Sequence, residues 1–544
     1  MMLAVLPVLL NVVLSLGEPV VQGPLGEVRG TVRNVLDVQV ESFLGIPYAK
    51  PPTGKLRFAR PQAFGPVGSF DATGYGSSCP QPMSSPLQNF SERTDSENCL
   101  FLNVFRRTGT NISDKKAVVV LIHGGGFVWG SSGNVEYNMA PLAGIGDVIT
   151  VSFNYRLGFL GFGYLEDTDF KNLGLLDQRL ALEWVRENIG MFGGDPDRVT
   201  LIGVSAGSMS VNAHIVTPLN THKKKLFRAA FMDAGVISGV LINDPGIAEN
   251  GTKCVARTAG CADDENLIDC LREVELADLL QRVATCGTKH VRFGPVADGV
   301  FLPKNAEEYL KTKAGDFLKV KTMIGYARNE GSMFAAMRRE KYPETMTDEE
   351  FIDVIEEMIR AFSFRVEVKG DERMKKDLLG QYLKKFVDPF TAVEKFIGDG
   401  RFVCPSNAFI ENYARVNDQV YVYRFERLLE GNYFSFDPEV FGVYHISPFV
   451  HFTGTYLGSS DGNHEVLDAD KEFMLEAMRV LSTFAKEDER PAFRGVEWPR
   501  FSENENILVV DNRPWIRSGL PHKARCQAVF PYFEGMLHSS RTEL

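Results

Sequence analysis

Two short, continuous apolar runs stand out along the chain, Ala117-Val118-Val119-Val120-Leu121-Ile122 and Val199-Thr200-Leu201-Ile202. Runs of this length, rich in β-branched residues and closed by glycine, predict strands. Each runs into a glycine cluster: the first into His123-Gly124-Gly125-Gly126-Phe127, the second into Gly203-Val204-Ser205-Ala206-Gly207, after which the chain can turn helical. A third apolar stretch, Met1 to Gly17, is uncharged but interrupted by Pro7 and Asn11, and it is too short for a bilayer, which takes about 20 residues. It lacks a positive n-region, yet Ser15-Leu16-Gly17 offers a small-residue cleavage site. Residues 1–17 therefore read as a signal peptide and the mature chain as starting near Glu18. No other segment of the sequence has the length and hydropathy to cross a membrane.

The chemistry lies in the two glycine clusters. A serine on a sharp strand-to-helix turn needs the smallest neighbours two positions either side, so that backbones pass closely and Oγ projects. Gly203 to Gly207 meets that need and makes Ser205 the candidate nucleophile. Gly458-Ser459-Ser460-Asp461-Gly462 has the same spacing but sits among Ser, Asp and Asn with no strand before it, and reads as a loop. The run Gly124-Gly125-Gly126 permits dihedrals that turn several N–H groups toward one point, the requirement of an oxyanion hole.

With these elements in this order the chain resembles the type B carboxylesterases, the cholinesterase and carboxylesterase branch of the α/β-hydrolases. Further stretches carry the resemblance across nearly the whole mature chain: Phe43-Leu44-Gly45-Ile46-Pro47-Tyr48-Ala49, Ser96-Glu97-Asn98-Cys99-Leu100-Phe101-Leu102-Asn103, Asn154-Tyr155-Arg156, Leu175-Leu176-Asp177-Gln178-Arg179 and Phe192-Gly193-Gly194-Asp195-Pro196. The resemblance implies an α/β-hydrolase fold: a large central, mostly parallel sheet with helices on both faces and inserted helical cap segments. It places the acid of a triad at Glu330 in Asn329-Glu330-Gly331-Ser332 and the base at His445, with Gly454 closing that pattern. The chain order Ser205, Glu330, His445 is that of the fold. Order alone would not single out His445 among nine histidines, and His451 is its nearest rival. The oxyanion donors implied are the amides of Gly125, Gly126 and Ala206. Disulfides implied by the resemblance are Cys79 with Cys99, Cys261 with Cys270 and Cys404 with Cys526, leaving Cys254 with Cys286. It also implies that Arg57 pairs with Glu97 and Arg156 with Asp177. The chain departs from the family pattern in one place: two carboxylates common near the triad are replaced by Val204 and Pro448, and the glycine after the histidine by Ile446.

Composition narrows the alternatives. At 544 residues the length prior is about three or four domains, but no linker, repeat or charge-block boundary divides the chain, and residues 18–544 read as a single domain. A net charge of −11 and the lack of a basic stripe argue against nucleic acid; Lys223-Lys224-Lys225 is a solvated surface run. Eight cysteines in a chain bound for the secretory pathway read as disulfides, since no Cys-x-x-Cys or histidine cluster has zinc spacing; neither metal nor cofactor is implied. Sequons at Asn89, Asn111 and Asn250 are candidate glycan sites. The tail Arg541-Thr542-Glu543-Leu544 resembles the variant retention signals of lumenal carboxylesterases, which implies a retention receptor and the endoplasmic reticulum lumen; an inert tail implies secretion. The expected function is hydrolysis of carboxylic esters, with amides and thioesters in reach, through an acyl-enzyme on small neutral lipophilic molecules. An adhesion or binding member of the same fold is the alternative. A cholinesterase is disfavoured because residues 80–98 contain no Trp, the cation-binding ring of those enzymes.

Overall fold

The computed structural model describes residues 18–81, 94–220, 225–238, 242–261, 267–286, 293–304, 306–336, 345–361, 368, 370–386, 388–431, 438–458 and 466–534. Residues 1–17, Asn89, Ser459, Ser460 and the tail at 541–544 lie outside the described residues.

A central sheet of 11 strands organises the chain. In sequence the strands are β1 (Thr31–Val35), β2 (Val38–Pro47), β3 (Phe101–Arg107), β4 (Lys116–Ile122), β5 (Ile149–Phe153), β6 (Gly194–Val204), β7 (Ala229–Asp233), β8 (Lys321–Ala327), β9 (Val420–Phe425), β10 (Asn506–Val510) and β11 (Trp515–Ser518). Across the sheet they run β11-β10-β9-β8-β7-β6-β4-β5-β3-β2-β1. From β10 to β5 every pairing is parallel, and antiparallel strands finish both edges.

The alternation inside β4 explains why the sheet is buried on both sides. Val118, Val120 and Ile122 enter one core with Leu175, Leu182 and Val185 of helix α1 (Leu173–Asn188). Ala117, Val119 and Leu121 face the other way, into a second core. A strand flanked by parallel neighbours must be apolar on both faces, because crossover helices cover both. Helix α2 (Ala206–Val216) follows β6 and is buried along its whole length.

Two long excursions leave the sheet. Between β7 and β8 run α3 (Pro245–Thr258), α4 (Leu267–Glu273) and α5 (Leu276–Cys286), stapled by Cys254–Cys286 and Cys261–Cys270. Between β8 and β9, α6 (Asp348–Ala361) and its neighbours form a core of their own around Phe351, Ile355, Ile359, Phe396 and Ile397. After β9, α7 (Ser447–Thr453) and α8 (Asp468–Lys486) supply the second core with Phe449, Phe452, Phe473 and Leu481. The closing helix α9 (Lys523–Glu534) is tied back by Cys404–Cys526, whose 122-residue loop is worth about 5 kcal/mol in the chain-entropy account. Cys79–Cys99 completes the set of four disulfides.

Two ion pairs tie loops down, the second of them to helix α1. Arg57 grips Glu97 with Nε and Nη2, both at 2.6 Å, and Arg156 grips Asp177 at 2.8 and 2.7 Å. Among the described residues no helix is long and apolar enough to cross a membrane.

Candidate active site

Parallel register brings the C-terminal ends of β6, β7 and β8 to one edge of the sheet, where this class of fold carries its chemistry. Ser205 sits on the turn between β6 and α2 with φ 58° and ψ −125°. That is left-handed backbone for a residue with a side chain, costing on the order of 1–3 kcal/mol, and it persists because its surroundings fix it. The Ser205 N–H donates to the Asp233 carbonyl at 2.9 Å, and Met209 N–H donates to the Ser205 carbonyl at 2.9 Å. The flanking glycines are steric necessities. A Cβ at Gly203 would lie 2.3 Å from the Gly207 carbonyl carbon, and one at Gly207 would lie 2.0 Å from the Ile122 oxygen.

The glycine loop after β4 packs directly on this turn. A Cβ built on Gly124 would meet the Val204 carbonyl oxygen at 2.9 Å and Ser205 Cβ at 3.3 Å. Gly125 and Gly126 follow with φ of 107° and 60°, so neither position accepts an ordinary residue without strain. Ala206 opens α2, so its N–H is among those a helix leaves without an intrahelical acceptor. The loop is braced by aromatic groups, of which Tyr137 lies outside every quoted motif. Tyr137 accepts the Gly124 N–H at 3.1 Å, while His123 donates from Nδ1 to the Gly124 carbonyl at 2.8 Å and stacks on Tyr155 at 4.4 Å. Burial lowers the pKa of His123 to about 4, so this ring is a neutral brace.

Glu330 and His445 come from adjacent loops that zip together. Asn329 and Tyr444 form a parallel bridge, with Asn329 N–H donating to the Val443 carbonyl at 2.9 Å. Both side chains are almost fully buried, 1% and 4% exposed. His445 donates from Nδ1 to Glu330 Oε2 at 2.6 Å, and Glu330 Oε1 accepts the Ala327 N–H at 2.5 Å. That carboxylate fixes the tautomer, leaving Nε2 as the basic atom. Nε2 is buried and makes no hydrogen bond among the described residues; none joins it to Ser205 Oγ. Phe402 and Phe334 pack on the imidazole at 4.5 and 5.4 Å between centroids and restrict its rotation.

The rival His451 lies elsewhere, in α7 against Phe425 and Phe473, with Nδ1 donating to the Ser447 carbonyl at 2.8 Å. The departures are buried: Val204, Pro448 and Ile446 all belong to the apolar packing behind the site. Of the sequons, Asn111 and Asn250 are exposed, and the Thr252 hydroxyl is taken up by the Tyr164 N–H and the Ala248 carbonyl.

A doubly covered, mostly parallel sheet with a serine on the strained turn after a central strand defines an α/β-hydrolase. Within that class the chain belongs to the carboxylesterase family, whose model matches residues 17–528, and it is a carboxylic ester hydrolase. It is 33% identical over 526 residues to the pyrethroid hydrolase Ces2a of Mus musculus, a match covering 92% of this chain and 88% of that one. It is also 31% identical over 513 residues to the cholinesterase of Mus musculus, covering 90% and 82%, and 35% identical over 417 residues to the acetylcholinesterase of Electrophorus electricus, covering 72% and 64%.

Proposed function

We propose that the protein is a serine hydrolase that cleaves esters of neutral lipophilic molecules through an acyl-enzyme, with amides and thioesters as further substrates. The observation that carries this reading is Ser205 on its strained turn at the same sheet edge as the 2.6 Å His445–Glu330 pair. His445 takes the Ser205 proton as Oγ attacks the carbonyl carbon and returns it to the leaving alcohol; water repeats the cycle on the acyl-enzyme. Glu330 holds the imidazole and stabilises its charged form. The amides of Gly125, Gly126 and Ala206 receive the developing alkoxide, where each donor is worth about 3–4 kcal/mol.

The preference for neutral substrates is supported by the apolar Val204 and Pro448 and by the lack of Trp between Cys79 and Cys99. In this reading residues 18–544 act as one catalytic domain, delivered to the secretory pathway by residues 1–17. The tail Arg541 to Leu544 holds it in the endoplasmic reticulum lumen through a retention receptor, and Asn89, Asn111 and Asn250 carry glycans. Four disulfides fit such an oxidising compartment. Labelling purified protein with a fluorophosphonate tests the mechanism: the parent should label and Ser205→Ala should not, with unchanged thermal unfolding. An unlabelled parent would assign the chain to the binding branch of the fold. Labelling that survives Ser205→Ala but is lost in Ser460→Ala would move the nucleophile.

A further inference from the structure

Asp233 is a fully buried carboxyl that the mechanism above does not use. It ends β7 and touches three separate parts of the site. Its carbonyl accepts the Ser205 N–H at 2.9 Å. Its side chain meets the Tyr423 hydroxyl at Oδ1, 2.6 Å away, and accepts the Phe449 N–H at Oδ2, 3.1 Å away.

The surrounding sequence explains why the carboxyl is there. Val204, Asp233, Gly325 and Tyr423 stand in one row across β6, β7, β8 and β9. The gap at Gly325, where a Cβ would lie 2.4 Å from Tyr423 Cγ, lets the tyrosine ring pass over β8 to reach Asp233. Phe449 is the third residue of α7, the helix that begins two residues after His445. Ile446, at the N-cap of that helix, has no side-chain acceptor to offer, and Pro448 has no N–H. Asp233 therefore supplies, from a distant strand, the acceptor the helix start lacks.

We propose that Asp233 is a positioning residue for the Ser205–His445 pair, fixing the nucleophile's turn through its backbone and the helix behind the histidine through its carboxyl. This rests on the serine-hydrolase reading given above. Burial, and next the charge of Glu330, hold the carboxyl well above the usual range, and no basic side chain among the described residues hydrogen-bonds it. The Tyr423 hydroxyl donates to Oδ1, and Oδ2 accepts from the Phe449 N–H. An asparagine keeps both contacts, its carbonyl accepting from the Phe449 N–H and its amide N–H donating to a Tyr423 hydroxyl turned to accept, whereas alanine keeps neither.

The experiment compares the parent with Asp233→Ala, Asp233→Asn and Tyr423→Phe, all assayed well below their melting temperatures. It follows the rate of fluorophosphonate labelling and kcat and KM for a neutral butyrate ester. Asp233→Ala should lower kcat and the labelling rate by roughly tenfold to a hundredfold with KM changed by less than about twofold, the signature of a displaced catalytic pair. Asp233→Asn should return kcat to within about threefold of the parent. Asp233→Ala with parental kcat, or Asp233→Asn as slow as Asp233→Ala, would overturn the proposal. Should Asp233→Ala not fold, Tyr423→Phe decides: a fall in kcat of about threefold or more at constant KM supports the proposal, and parental kcat refutes it. A parent that does not label at all would instead refute the serine mechanism, and this inference with it.

Discussion

Val204 and Asp233 are direct register partners on the parallel strands β6 and β7, so their side chains leave the sheet on the same face, side by side. The residue before Ser205 is thus apolar, but its neighbour is a carboxyl. With Val204 and Pro448 apolar, Asp233 still leaves an acid in the packing behind Ser205 and His445.

Val204→Glu follows from that pairing. The new carboxyl would enter a fully buried row beside Asp233, with Pro448 offering no donor, so it adds a second acid without a cation. Stability should fall by about 3 kcal/mol, with activity falling too. Denaturant unfolding with ester assays checks this, and adding Asp233→Asn to the variant should recover part of the loss. A single Val204→Glu variant more active than the parent on choline and neutral esters alike would contradict the argument.

Ile446 has φ 78°, left-handed backbone that a β-branched side chain rarely adopts. Ile446→Gly and Ile446→Ala both lose the apolar packing, but only glycine releases the strain. The glycine variant should therefore be more stable than the alanine variant by about 1 kcal/mol, inverting their usual order. Thermal unfolding of the pair measures it, and an alanine variant that melts higher would show the turn to be relaxed.

Acid sensitivity has an identifiable source. Burial lowers the pKa of His123 to about 4, of His214 to about 3 and of His451 to about 4. Each stays neutral in the fold but takes a proton when unfolded below about pH 6.5. Their contribution to stability is complete above that value, is lost as pH falls toward 4, and levels off below the folded pKa values. His214→Gln should make the melting temperature fall less steeply between pH 6.5 and 4 than in the parent. Parallel curves would remove His214 from this account.

Substrate charge gives a direct reading of the site. In kcat/KM a neutral butyrate ester should exceed the matched choline ester by roughly tenfold or more, because a quaternary ammonium finds neither the ring nor the carboxylates that would offset its desolvation. Equal efficiency on the two esters would refute this.

The amino-acid sequence by itself determined the local constraints. Gly203 and Gly207 are legible because only the smallest residue fits where a Cβ would sit about 2 Å from backbone atoms, and β4 is legible because a strand covered on both faces must be apolar throughout. Chain order and the family pattern carried Glu330 and His445. What only the tertiary structure decided is everything that depends on strand order. Asp233 and Tyr423, 190 residues apart, become partners because β7, β8 and β9 lie side by side with a glycine between them. Phe402 and Phe334 become the walls of the imidazole, and Tyr137 and Tyr155 the braces of the glycine loop. Apart from Tyr155, which falls in the Asn154-Tyr155-Arg156 stretch without its bracing role being legible there, none of these residues lies in a periodic or spaced motif, because what selects them is contact across the sheet and between loops, and a linear pattern records only neighbours along the chain.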